Sequence, residues 1–218
     1  MGGPVDELGS AHRENREVNA ERWREILESA RLEFMEVGYA AARLQDIARR
    51  AGITAASLYH YIESKEDLLY ELIRSSHERS LAAAIALQDD PTESAAERLR
   101  TLIVGWGAFA RELPFVVQDR DNRFLTPAHR RVIDDLRREV VTTGRVIVDR
   151  GMRDGTFDAS LDPAVVVFSL FGLLNAPRQW YGPEIKVPFG PTYDWFAEAV
   201  IGALTEPGAR VMADLAGS

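Results

Sequence analysis

The chain has 218 residues, 46% of them hydrophobic, so it is long and apolar enough to bury a core in one large or two modest domains. The absence of cysteine excludes disulfides, thiolate zinc sites and cysteine nucleophiles, and it fits a reducing cytoplasm. The formal net charge of −8 does not exclude a nucleic-acid partner, because positive potential is needed only on the surface that faces phosphate.

The first elements of the chain are a polar tail and a long helix. Residues 1–18 are polar and lack the apolar segment of a secretory signal, so they are predicted to form a disordered tail. Apolar residues then recur at helical spacing, and Gly38 is predicted to end this first helix. The apolar residues of this helix are Trp23, Ile26, Leu27, Ala30 and Phe34.

Two short helices follow within residues 19–68. Leu44, Ile47 and Ala48 predict the first of them. Gly52 supplies a turn conformation that other residues resist, and Thr54 can cap the next helix, over residues 54–60. Two short helices joined by a tight turn form a helix-turn-helix, whose second helix enters the major groove of DNA. We therefore predict a DNA-binding domain over residues 19–68.

The rest of the chain is predicted to be helical, because no run alternates as strands do. Capping residues mark the helix starts: Ser64 with Asp67, Asp90-Pro91 with Glu93, Thr126-Pro127 and Asp162-Pro163. A short helix is expected from Pro114 to about Phe124, and a last one from about Thr192 to Leu204. The predicted fold class is all-α with about nine helices. Residues 69–205 are predicted to form a ligand-binding and dimerisation domain, for the reasons given in the next paragraphs, and residues 206–218 a C-terminal tail.

The predicted helix at 163–181 is apolar on nearly all sides, so it needs two hydrophobic surroundings. One face is predicted to meet a second subunit, with Gly172 allowing close approach and the helix at 192–204 completing a four-helix interface. Pro177 predicts a kink or stop near the helix end. The apolar run from Val165 to Leu174 is far shorter than the ~20 residues that span a bilayer, so no membrane association is expected.

A set of residues at fixed spacing runs through the segment 24–69. It consists of Ile26-Leu27, Ala30, Phe34, Gly38-Tyr39, Asp46-Ile47-Ala48, Ala51-Gly52-Ile53, Leu58-Tyr59-His60-Tyr61 and Ser64-Lys65-Glu66-Asp67-Leu68. With these residues the segment resembles the amino-terminal domain of the tetracycline-repressor (TetR) family of bacterial transcription regulators. The chain departs from the family pattern at Ala42 and Arg43, where Thr or Ser is usual, and at Ala56, where Gly is frequent.

The resemblance implies a homodimer that binds a double-stranded DNA operator. Thr54, Ala55 and Ala56 would lie nearest the bases. Tyr59, His60 and Lys65 would contact phosphate. Arg43 is a further candidate beside the recognition helix. A helix-turn-helix that serves protein contacts instead is the alternative, and a mobility-shift assay with the DNA upstream of its own gene separates the two.

Aromatic and polar residues of the second domain indicate an effector pocket, against the alternative of an ordinary core with a solvated charged edge. The candidates are Trp106, Phe109, Phe115, Arg120, Arg123, Phe124, Phe168, Phe171, Asn175 and Arg178. The segments LPFVVQDRDNRFLTPAHRR and LFGLLNAPRQWYGPE resemble TetR-family regulators of fatty-acid and steroid catabolism. This resemblance implies an acyl-coenzyme A effector, with Arg120, Arg123 and Arg178 as candidates for binding its anionic part. A fatty acyl, a steroid-derived and an aromatic thioester all stay open, and so does a neutral hydrophobic drug.

An enzyme is not expected. The histidines at 12, 60, 77 and 129 lie far apart, and no GxSxG motif, phosphate loop or dinucleotide fingerprint is present. No clustered His and carboxylate spacing indicates a metal site in the sequence. We therefore predict no catalytic residues, no metal and no cofactor.

Overall fold

The computed structural model describes residues 12–13, 15–89, 93–112, 123–180 and 189–205. Residues 12–13 and 15–18 are helical, and eight helices follow. They are α1 (Ala20–Val37), α2 (Leu44–Arg50), α3 (Ala55–Leu58), α4 (Lys65–Asp89), α5 (Ala95–Glu112), α6 (Pro127–Arg153), α7 (Pro163–Trp180) and α8 (Phe189–Thr205). None of the described residues is in a strand, and the predicted all-α class with about nine helices is confirmed.

Side-chain caps begin several helices where the sequence predicted them. The Thr54 hydroxyl accepts a hydrogen bond from the Ser57 N–H at 3.0 Å at the start of α3. Thr126 accepts from the His129 N–H at 3.2 Å before α6. The Asp162 carboxylate accepts from the Ala164 N–H at 2.8 Å before α7. These helix starts are therefore confirmed.

The start of α5 was predicted wrongly. The helix begins after Ser94, whose hydroxyl accepts from the Glu97 N–H at 3.2 Å while the Glu97 carboxylate accepts from the Ser94 N–H at 2.8 Å. This reciprocal pair satisfies two N–H groups at once, so it determines the helix start instead of Asp90-Pro91.

Two further predictions concern helix ends. Helix α7 continues through Pro177 to Trp180, so it does not stop at Pro177, and the alternative prediction of a kink there stays a prediction. The predicted helix from Pro114 to Phe124 lies mostly outside the described residues, and its last two positions, 123 and 124, form a turn before α6.

The polar N-terminal segment is helical where it is described. The Asn19 N–H donates to the Asn15 carbonyl at 3.1 Å, and the Trp23 N–H donates to the Asn19 carbonyl at 2.9 Å. The disordered tail predicted for residues 1–18 is therefore wrong for residues 12–13 and 15–18. Polar composition argues against a buried core, but a short helix needs only a surface on which to pack.

The described residues form two compact units. The first contains the residues up to Ser75 together with 123–133, and the second contains Ser76–Glu112 with the residues from Asp134 onwards. The first unit therefore extends past the predicted limit at Leu68, and the predicted C-terminal tail, 206–218, lies outside the described residues. Fully buried apolar side chains of the first unit include Ile26, Ala30, Ile47, Leu58, Ile62, Leu68, Leu69 and Ile73.

The second unit has its own core between α5, α6, α7 and α8. Helix α5 packs along α8, and Gly107 makes the close approach possible, because a Cβ added there would lie 2.4 Å from Cγ of Tyr193. The Tyr193 ring is buried, and its hydroxyl donates to the Leu174 carbonyl at 2.8 Å. The ring is therefore held in place from both ends.

We expect Gly107→Ala to destabilise the protein by ~1–3 kcal/mol, because the added methyl group overpacks a buried site that cannot yield cheaply. Gly105 lies about half a turn away in the same helix, and a Cβ there would meet no heavy atom within 4 Å. Gly105→Ala is thus the matched control, and it should stabilise by ~0.5–1 kcal/mol through the better helix propensity of alanine. Urea unfolding of both variants measures the difference, and equal midpoints would contradict this packing argument.

Candidate DNA-binding site and effector region

The recognition helix α3 is fixed by a turn on one side and a buried anchor on the other. Gly52 has φ +68°, and the following Ile53 N–H donates to the Ala48 carbonyl at 3.0 Å, which sets α3 across α2. Leu58 is fully buried, whereas Thr54, Ala56 and His60 are exposed. Tyr59 is also exposed, with 51% of its surface accessible. The predicted DNA-contacting residues of this helix therefore face outward, apart from Ala55, which is half-buried.

The cations near α3 are not equally available to phosphate. Arg43 is exposed. Arg49 pairs with Asp46 at 2.5 Å. Arg50 pairs with Glu36 at 2.6 Å and with Glu33 at 3.2 Å, and these hydrogen bonds raise the pKa of Arg50. Arg49 and Arg50 are thus balanced by nearby carboxylates, whereas Arg43, the arginine predicted to contact DNA, faces solvent.

Lys65 has a structural role that the sequence did not reveal. Its ammonium donates to the carbonyls of Tyr39 at 2.6 Å, Ala42 at 2.9 Å and Ala40 at 3.3 Å, and it lies 4.5 Å from the centre of the Tyr39 ring. Partial burial lowers the pKa of Lys65. The side chain therefore ties the start of α4 to the α1–α2 connection, and its predicted phosphate contact stays a prediction.

Three residues missed by the sequence reading lie against the end of the recognition helix. His12, Asn15 and Arg16 contact the carbonyl oxygens of residues 59–61. Their spacing of three and four residues, which puts them on one helical face, was the available signal. It was hidden by the polar composition of the segment.

The structure brings together two of the predicted effector residues. Trp106 is buried, and the half-buried Phe171 meets it edge-to-face, with ring centroids 5.2 Å apart and planes at 78°. Phe168 is 70% exposed, so it does not line this site, and we correct its assignment. Helix α7 turns Val167, Leu170 and Leu174 into the core, which leaves Phe168 on the outer face.

The remaining effector candidates lie in the first unit or outside the described residues. Phe124 packs on Tyr39 in the first unit with ring centroids 4.7 Å apart, and the Arg123 guanidinium lies 4.7 Å from the centre of the Phe124 ring. Both residues belong to the first unit, and their predicted place in the effector pocket stays a prediction. Phe115 and Arg120, and the side chains of Phe109, Asn175 and Arg178, lie outside the described residues.

The outer faces of α7 and α8 form an exposed surface of apolar and small residues, which we call the α7–α8 stripe. Its residues recur at helical spacing: Val165, Phe168, Ser169 and Gly172 on α7, and Trp195, Ala199, Gly202 and Ala203 on α8. Val165, Phe168 and Trp195 are 61%, 70% and 65% exposed. Surfaces of this kind in a single chain mark sites of association.

A polar cluster in the first unit joins the starts of α4 and α6. Its members are Glu66, Asp67 and His129, whose ligand-type atoms lie within 4.8 Å of one another. The Glu66 carboxylate already accepts from the His129 ring at 2.8 Å and from the Thr126 N–H at 2.9 Å, and Asp67 accepts from the Ser64 N–H at 3.0 Å. These groups thus connect backbone and side chains of the two helices.

The fold and the outward-facing α3 define the protein as an all-α helix-turn-helix protein with a separate helical C-terminal unit. Residues 26–72 match the family model described as bacterial regulatory proteins, tetR family, and residues 92–184 match the one described as tetracyclin repressor-like, C-terminal domain. The chain belongs to the TetR family. Among the described residues, no helix combines the length and apolarity needed to cross a membrane.

Relatives agree with this assignment. The chain is 28% identical over 195 residues to the HTH-type transcriptional repressor KstR2 of Mycobacterium tuberculosis, covering 88% of this chain and 96% of that protein. The solved structure of this ketosteroid transcriptional regulator superposes with a TM-score of 0.72 at 26% identity, over 86% of this chain and 96% of the other. The TetR family transcriptional regulator PfmR of Thermus thermophilus gives a TM-score of 0.73 at 25% identity, over 81% and 97%.

Proposed function

We propose that the protein is a ligand-responsive transcriptional repressor that binds a palindromic operator as a homodimer and is released by a small hydrophobic effector. The observation that carries this proposal is the exposed recognition helix, anchored by Leu58 and set by the turn at Gly52, in a chain whose relatives are named transcriptional repressors. Because the members of the family are transcription regulators, we assign no catalytic residues. We also expect the protein to act in the cytoplasm, where the bacterial chromosome lies.

The α7–α8 stripe supports the homodimer. A large exposed aromatic such as Phe168 or Trp195 is costly in water, and the exposed Gly172 and Gly202 permit close approach of a second backbone. A two-fold axis through this surface would present two recognition helices, so the operator should be palindromic with half-sites about one DNA turn of ~34 Å apart or slightly more.

The effector proposed here is an apolar acyl group carried as a coenzyme A thioester. The Trp106–Phe171 pair supplies an apolar aromatic wall in the second unit, as ligand sites usually have. The name of the ketosteroid regulator to which the chain is similar favours a steroid-derived acyl group over an aromatic one. If the helix-turn-helix bound only other proteins, an effector bound in the second unit could not change DNA binding.

The proposal is tested by fluorescence anisotropy with the duplex upstream of the protein's own gene, at fixed salt because phosphate contacts make affinity salt-dependent. A panel of acyl-coenzyme A thioesters and their free acids is then screened by thermal shift, and hits are added to the complex. We expect thioester hits to stabilise the protein and to release DNA. Failure to bind any upstream or selected duplex would reject the repressor, and hits limited to uncharged aromatics would reject the thioester.

Linkage gives this experiment a second, independent readout. If a thioester weakens operator binding by some factor, the operator must weaken thioester binding by the same factor, since coupling between two sites is reciprocal. Calorimetric titration of the thioester with and without saturating operator measures that factor. Competition for a single site obeys the same equality, so unequal factors would mean that the titrations were not at equilibrium or that the thioester denatures the protein, and the thioester would then be rejected as the effector.

A further inference from the structure

We propose that the N-terminal arm, residues 12–13 and 15–18, is a positioning element for DNA reading, in which His12, Asn15 and Arg16 fix the C-terminal end of the recognition helix. The inference rests on the proposed use of α3 to read DNA. The arm itself need not touch DNA, because it acts on the helix that does.

The arm engages three consecutive carbonyl groups just beyond α3. The Arg16 Nε donates to the Tyr61 carbonyl at 2.7 Å, and the Asn15 Nδ2 donates to the His60 carbonyl at 3.0 Å. His12 Nε2 lies 3.2 Å from the Tyr59 carbonyl oxygen. A carbonyl oxygen only accepts, so Nε2 carries the proton in this contact.

These contacts meet a specific need of the recognition helix. Helix α3 has only four residues, and isolated helices shorter than ~12–15 residues are marginal in water. The carbonyl groups of residues 59–61 follow the last helical residue, outside the backbone hydrogen bonds that Ala55, Ser57 and Leu58 accept, so side-chain donors can bind them. The orientation of α3 must therefore come from its surroundings: the buried Leu58 anchors its last residue, and the arm supplies donors to the three carbonyl groups that follow.

Arg16 links the helix end to the rest of the DNA-binding unit. Its Nη1 pairs with Glu71 of α4 at 3.2 Å, and both side chains are mostly buried, with 14% and 10% exposed. Its guanidinium also lies 4.4 Å from the centre of the Trp23 ring of α1, and Trp23 stacks parallel to Tyr61, with planes at 7°. One side chain thus joins α1, α4 and the end of α3, so a shift of the arm would shift the reading surface.

The experiment compares wild type with Arg16→Ala, Asn15→Ala and Arg16→Lys on two duplexes: a site selected from a random pool by the wild-type protein, and an unrelated duplex of equal length. A lysine at position 16 keeps the positive charge beside Glu71. It lacks the planar guanidinium of arginine, so it cannot bind Glu71 and the Tyr61 carbonyl with two separate N–H groups at once. Arg24→Ala is the charge-matched control, since Arg24 is exposed on α1.

We expect Arg16→Ala to reduce the ratio of specific to non-specific affinity about tenfold, equivalent to ~1.4 kcal/mol. Arg16→Lys and Asn15→Ala should lower the ratio to a smaller extent, and Arg24→Ala should leave it unchanged. Loss of a phosphate contact would weaken binding to both duplexes alike, and so would a smaller folded fraction. A change in the ratio of the two affinities therefore reports the positioning of the recognition helix.

An unchanged ratio in Arg16→Ala, or an equal loss on both duplexes, would overturn the proposal. If Arg16→Ala does not fold by circular dichroism, Arg16→Lys and Asn15→Ala decide, because both retain the Glu71 pairing. Absence of any site selected by the wild-type protein would instead reject the proposed function, so the two failures are distinguishable.

Discussion

Replacing Phe168 by Asp should convert the dimer into monomers and weaken operator binding by about 100-fold or more. Phe168 is the most exposed aromatic of the α7–α8 stripe, and a carboxylate buried there without a partner would cost ~3–5 kcal/mol. A monomer reads one half-site and loses the gain from simultaneous engagement of both. Light scattering at micromolar concentration measures the assembly, and anisotropy measures the affinity.

Val146→Asp is the matched control, because Val146 on α6 is also exposed, at 43%, but lies off the stripe. It should remain dimeric. Monomers from Val146→Asp and dimers from Phe168→Asp would place the interface elsewhere, and a monomeric wild type would reject dimerisation. Phe171 is unsuitable for this test despite its place in α7, because it packs on Trp106 and its replacement would disturb the core.

Replacing Ala56 by Glu should weaken operator binding by about 100-fold or more, while the fold stays intact. Ala56 lies on the exposed face of α3, where a carboxylate would meet base edges flanked by phosphates. Loss of one base-pair match alone costs ~1–3 kcal/mol, and repulsion adds to it. Glutamate is a good helix former, so thermal unfolding should change little.

Ala83→Glu on α4 adds the same charge at an exposed position outside the helix-turn-helix. It should bind the operator nearly as well as wild type at physiological salt, where charges beyond ~8 Å are screened. If the two variants bound equally, net charge would account for the effect and α3 would not be the reading element.

Local signals in the sequence predicted most of the fold. Three helix starts show this: the side chains of Thr54, Thr126 and Asp162 each accept a hydrogen bond from an N–H group two or three residues later. Because a capping residue acts on N–H groups so close in the chain, such helix starts can be predicted from the sequence alone. The start of α5 was misassigned because two cap-like pairs stand close together in the sequence, and the helix begins at the second, where Ser94 and Glu97 form the reciprocal pair. Choosing between them needs backbone geometry that a sequence does not carry.

Site residues were harder to predict, since they depend on contacts between distant segments. Lys65 contacts carbonyls near residue 40, and Arg16 reaches residues 61 and 71, separations at which helical periodicity gives no information. Phe168 and Phe171 look equivalent in an apolar helix, yet one is 70% exposed and the other packs on Trp106. The face each occupies is decided by the neighbours of α7.

Gly52 and Gly107 are both glycines for reasons of geometry, but the geometric constraint differs between the two positions. At Gly52 the constraint is handedness: φ is +68° and nothing lies within 4 Å of an added methyl group. A D-alanine introduced there by chemical ligation would suit the turn and restrict the unfolded chain. At Gly107 the constraint is volume, because the Tyr193 ring occupies the space. The turn before the recognition helix thus requires glycine because of its backbone handedness, and the α5–α8 contact requires glycine because of its small size.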